Sequence, residues 1–105
     1  MYGIVELKGT NMIICDEFRN NFKIRSTLDF SVIENITNTF GELRCGLSFI
    51  EESICLLGID KTLVRFDYQL KEILQFETIN GEIRSIQELN SNLVIIQISP
   101  NYSEL

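Results

Sequence analysis

The sequence predicts an all-β protein built on an antiparallel four-stranded unit of about 40 residues, and three observations carry that prediction. The chain of 105 residues contains no alanine, and isoleucine is its commonest apolar residue, joined by Val, Thr, Phe and Tyr. The best helix former is missing and β-branched residues abound, which favours strand. No window sustains apolar residues at i, i+3, i+4 and i+7; short apolar runs are divided by polar or Asn- and Gly-containing breaks. Finally, Gly-Glu-apolar-Arg stands at 41–44 and again at 81–84.

Ten strands are expected, near 3–8, 11–16, 22–26, 31–37, 42–49, 53–59, 63–68, 72–77, 82–88 and 93–98. Their spacing of roughly 8–12 residues suits a sandwich, a barrel or a propeller. "VELKGTNMIICD" (5–16), "LSFIEESICLLGID" (47–60) and "IQELNSNLVIIQIS" (86–99) each read as strand, tight polar break, strand. Asn11, Ser53 and Asn92 precede the apolar runs 12–15, 54–57 and 93–96. Between these hairpins, residues 29–44 align with 69–84 without a gap. The single domain therefore divides into unit 1 (about 1–40), unit 2 (about 41–80), a half unit (81–99) and a short tail (100–105).

Within a unit the strands differ in their exposure. The second, "ICLLGI" in unit 2, is apolar without alternation and needs cover on both faces. The third, "LVRFDY", alternates, with Val64, Phe66 and Tyr68 opposite Arg65 and Asp67. The fourth, "EILQFET", is more polar, so burial should fall from the second strand to the fourth. A four-stranded unit of this length resembles the blade of a WD40-type β-propeller. The family's Gly-His pair and Trp-Asp ending have no counterpart, since the chain has neither His nor Trp; "RFDY" at 65–68 takes the comparable third-strand place. The resemblance implies a partial propeller of two full blades plus a two-stranded half blade. A compact β-sandwich or barrel is the alternative.

Propellers close with four to eight blades. Two and a half would expose an apolar face at each end and leave the last strand as a long apolar edge. Three arrangements would cover these surfaces: a two-fold homo-oligomer with six blade positions, another chain adding strands to the open edge, or folding back into a sandwich. The expected partner-binding residues are Leu93, Val94, Ile95, Ile96 and Ile98 on the last strand and Ile4 and Val5 on the first. Arg44 and Arg84, equivalent in the repeat, join them, although alternation opposite Leu43 and Ile83 also reads as exposed repeat ornament.

Charge and composition narrow the function. The net charge is −6, with nine basic residues scattered among fifteen acidic ones, a poor basis for direct nucleic-acid binding. Without histidine there is no Ser-His or Cys-His pair, no histidine base and no His-bearing zinc set. No phosphate-cradling glycine motif occurs, and the carboxylate pair Glu51-Glu52 reads as a solvated turn. No catalytic, cofactor-binding or metal-binding residue is expected. Cys15, Cys45 and Cys55 lack CxxC spacing and lie in or beside apolar runs, as buried thiols do. The sequons at Asn35 and Asn101 read as accidental. No stretch approaches the roughly 18 apolar residues of a membrane span, and the first residues lack signal-peptide form, which points to the cytoplasm or the nucleus.

These readings converge on a non-enzymatic protein–protein interaction module, a subunit or bound accessory factor of a larger assembly. A ribonucleoprotein is one candidate, because an Ile- and Asn-rich chain without Ala suggests an AT-rich, reduced genome. Two alternatives remain. One is a small acidic inhibitor that blocks a basic active site. The other is a homo-oligomeric carbohydrate-binding propeller, which the absence of Trp disfavours.

Overall fold

A computed structural model describes residues 3–18, 21–37, 40–49, 53–90 and 93–99. Among them lie ten strands and no helix: β1 (Ile4–Leu7), β2 (Met12–Phe18), β3 (Asn21–Ser26), β4 (Val32–Thr37), β5 (Leu43–Phe49), β6 (Ile54–Ile59), β7 (Thr62–Asp67), β8 (Glu72–Thr78), β9 (Glu82–Asn90) and β10 (Leu93–Ser99). Every pairing is antiparallel between consecutive strands. They form a first sheet β1-β2-β3-β4, a second sheet β5-β6-β7-β8, and a β9–β10 hairpin. All ten strands expected from the sequence are present.

The repeated tetrad has a local cause at each of its positions. Gly41 and Gly81 adopt φ of 128° and 142°, which a side chain tolerates poorly. A Cβ would strike the Asp60 carboxylate at the first glycine and the Ser99 carbonyl at the second. The apolar residues, Leu43 and Ile83, are each 1% exposed. The arginines tie the start of a unit's first strand to the end of its second: Arg44 Nε donates to Asp60 Oδ1 at 3.0 Å, and Arg84 Nε donates to Ser99 Oγ. Asp60 itself opens the two-residue β6–β7 turn with φ 50°, a conformation that Asp accepts more readily than most residues.

The sheets stack in chain order and meet chiefly through their first strands, β1 on β5 and β5 on β9. The main core lies between the first two sheets. It joins Val5, Leu7, Ile14, Phe22 and Ile24 to Cys55, Leu57, Ile59, Val64, Phe66 and Tyr68, all buried. Phe22 and Phe66 meet edge to face, with centroids 5.9 Å apart. Close approach of β1 and β5 depends on Gly46, where a Cβ would lie 2.6 Å from Val5 Cγ2. A smaller contact joins the second sheet to the hairpin, with Ile83 seated over Gly58. Exposure rises outward as the alternation and polarity require: β6 is almost wholly buried, whereas β4 and β8 are mostly exposed.

The two end faces are mixed, with exposed Ile4 on one and exposed Ile95 on the other standing among outward polar residues. On β3 the register turns Phe22 and Ile24 inward and Lys23 and Arg25 outward. On the hairpin, Ile86 is buried against the stack, while Ser85, Gln87 and Gln97 face away and Ser85 Oγ donates to Gln97 Oε1 at 3.1 Å. Cys15 and Cys55 are buried and Cys45 is half-buried, and none of the three is in a disulfide. Burial pushes the Cys55 thiol up to about 12 and raises that of Cys45.

Candidate interaction surface

The joint between the first two sheets shows what a complete joint contains. Ser48 on β5 reaches the edge of β1, accepting from Lys8 N at 3.0 Å and donating to Glu6 O at 2.9 Å. The Asp16 carboxylate, at the inner end of β2, accepts from Leu43 N at 2.9 Å. Burial raises the Asp16 carboxyl above its ordinary value, and the Leu43 amide partly offsets this. Tyr68, following β7 and 2% exposed, directs its hydroxyl at Lys8 O (2.9 Å) and Phe49 O (3.1 Å). Through Phe66 on Phe22 and Tyr68 at its end, the third strand of the second sheet thus packs over the first sheet.

The next joint repeats only the inner half of this pattern. Ile83 N donates to Asp60 O at 2.8 Å, as β9 settles against β5 and β6. Arg44 Nη2 pairs with Asp60 Oδ1 at 2.9 Å and Glu42 Oε2 at 3.4 Å, and reaches Glu82 Oε1 on the hairpin at 4.0 Å. These carboxylates, chiefly the Asp60 hydrogen bond, hold the guanidinium above its ordinary value. Among the described residues nothing pairs with the far edge of β10. Among the described residues the hairpin packs on β5 and β6 and only marginally on β7, and Leu56, Leu63, Arg65, Gln75, Phe76 and Glu77 line a shallow pocket of about 150 Å³ beside it.

The residues expected to meet a partner separate into groups. Ile95 and Ile98 are 48% and 41% exposed on β10, and Val94 and Ile96 are half-buried. Leu93 pairs through its backbone with Asn90. Ile4 is 66% exposed on the outer side of the first sheet. Val5 is a correction: it is 3% exposed, because pairing with Ile14 turns it inward against Gly46, so it cannot reach a partner. The guanidinium of Arg44 is engaged in the joint and that of Arg84 in the hairpin, which accounts for their recurrence without a partner-facing ring. Asn92, the Glu51-Glu52 turn, Asn101 and the tail 100–105 lie outside the described residues.

Sequence reasoning missed Asp16, Ser48 and Tyr68 at the complete joint and Leu56, Leu63 and Arg65 at the open one. Two signals were available. The runs ending in Asp16, Asp60 and Ser99 each close on a small hydrogen-bonding residue. β3 begins at Asn21 and β7 at Thr62, a 41-residue step that sets Leu63 and Arg65 where unit 1 has Phe22 and Ile24. Replacing Ile by Arg marks a face that is not packed like its counterpart.

Among the described residues no group of three or more His, Cys, Asp or Glu side chains is placed to hold a metal ion, and no helix is long and apolar enough to cross a membrane. No protein-family model matches the chain, and no curated protein matches it in sequence.

Proposed function

We propose that this chain is a non-enzymatic protein-interaction module, a partial β-propeller of WD40-like blades that serves as a subunit or bound factor of a larger assembly. One observation carries the reading. The β9–β10 hairpin covers only the inner half of the second sheet, leaving beside it, among the described residues, both an unpaired strand edge and the pocket over Leu56 and Leu63. Backbone hydrogen-bonding groups along one wall and an apolar floor next to them are the ingredients of strand addition. The blade arrangement is supported by the adjacency of β1, β5 and β9 and by the outward rise in exposure.

Site-specific photo-cross-linking in the producing cell tests this function. A photoreactive side chain at position 63 or 95 should give a covalent adduct of one discrete mass, and the same group at Glu34, exposed on β4, should not. Adducts absent at 63 and 95, or identical at all three positions, would refute it.

A further inference from the structure

Resting on the function proposed above, we propose that the open place is filled by a β-hairpin from another chain, with net positive charge and one large apolar side chain on its inward face. The complete joint supplies the template. There, the inward side of the β7–β8 hairpin presents Val64 and Phe66 to the first sheet, with Phe66 on Phe22. The opposite side of that hairpin is the open face. Its register aligns Leu56, Arg65 and Gln75, then Gly58, Leu63 and Glu77, then Ile54, Asp67 and Glu72.

A strand pairing antiparallel to β10 would pass over Leu56 and Leu63, where one apolar side chain fills the pocket. The strand beyond it would pass over β8, which on this side presents Glu72, Gln75 and Glu77 and the pocket-lining Phe76. Asp67, Glu72 and Glu77 face a single Arg65 across the opening, and the whole chain carries −6. A positively charged second strand complements that surface, and an acidic one is repelled.

A second copy of this chain does not fit. Pairing β10 with its own symmetry mate would place the second sheets of both copies on the same side of the joined sheet, over the same strands, where they collide. Stacking the first sheet of another copy on the outer face of the hairpin would leave the layer beside β10, about 10 Å thick, unfilled.

The β7–β8 segment itself is a usable probe. Residues 62–78 carry two basic and three acidic side chains. A synthetic 62–78 peptide and its Glu72→Lys/Glu77→Lys version would be titrated against the isotope-labelled full chain, followed by amide exchange and chemical shifts. The basic peptide should bind about tenfold more tightly than the native one at low salt, slow exchange across β10, and lose most of that preference at about 0.5 M salt. Introducing Glu72→Lys/Glu77→Lys into the full chain, at two exposed positions, should reverse the preference. Equal affinities, or protection away from β10, would overturn the inference. If neither peptide binds, the hairpin is wrong, and cross-linking at positions 63 and 95 decides separately on the broader function.

Discussion

Gly58→Ala is the substitution that interrogates the hairpin's seat most sharply. A Cβ at this position would lie 2.6 Å from Ile83 Cγ2 and 2.7 Å from Cys45 Sγ. Ordinary carbon contacts need about 3.5–4.0 Å, so one partner must retreat by about 1 Å. β9 cannot retreat freely, because Ile83 N is bonded to Asp60 O at 2.8 Å. Overpacking of this kind costs about 1–3 kcal/mol. Removing a glycine returns about 0.4–1 kcal/mol through the unfolded chain. The midpoints give a net loss of about 1.3 kcal/mol, a fall of roughly 5–10 °C in Tm for a domain of this size. Calorimetry and amide exchange would read it, with residues 82–99 losing protection before β2, β3, β6 and β7. Gly46→Ala, which collides with Val5 Cγ2 at 2.6 Å in the main core, should instead lower protection throughout the first two sheets. An unchanged Tm and unchanged protection of β9 in Gly58→Ala would refute this account of the joint.

Three further expectations follow from the same contacts. Tyr68→Phe keeps the ring but deprives Lys8 O and Phe49 O of a donor, costing about 1–2 kcal/mol in chemical denaturation without altering the sheet spectrum. Asp16 titrates higher when folded than its ordinary 3.8, so its charge opposes folding. The stabilising share from its protonated form is complete below 3.8 and is lost as pH rises through the folded value. Asp16→Asn should therefore compare best with the wild type near neutrality and lose that advantage in acid, whereas Asp16→Ala, leaving Leu43 N without its acceptor, should cost about 1–3 kcal/mol. With its thiol pushed up to about 12 and its side chain buried, Cys55 should react with a disulfide reagent only on unfolding, after the half-buried Cys45.

The strands and the repeat were legible because both are local. Alternation in "LVRFDY", the unbroken apolar run "ICLLGI" and the glycines at 41 and 81 each act within a few residues of themselves. The direction in which neighbouring residues point was not legible where two apolar residues adjoin. Ile4 and Val5 are equally apolar, and only the register Val5↔Ile14 decides that one is buried and the other 66% exposed. The outward polar residues Lys23, Arg25, Ser85 and Gln97 gain meaning only once the stacking order shows which side of each sheet is outermost. Asp16 and Ser48 are ordinary polar residues until another sheet supplies Leu43 N, Lys8 N and Glu6 O.

The most direct test of the central claim, three sheets stacked in chain order with the outer half of the last place open, is a methyl-resolved nuclear Overhauser spectrum of the free chain. Cross-peaks from the Val5 methyls to the Gly46 α-protons and from the Ile83 methyl to the Gly58 α-protons should both appear, with none linking Leu63 methyls to β10. Contacts from Ile95 or Ile98 to Leu63, or from β10 to β3, would mean that the hairpin folds across the open face as in a closed sandwich, and the account would be wrong.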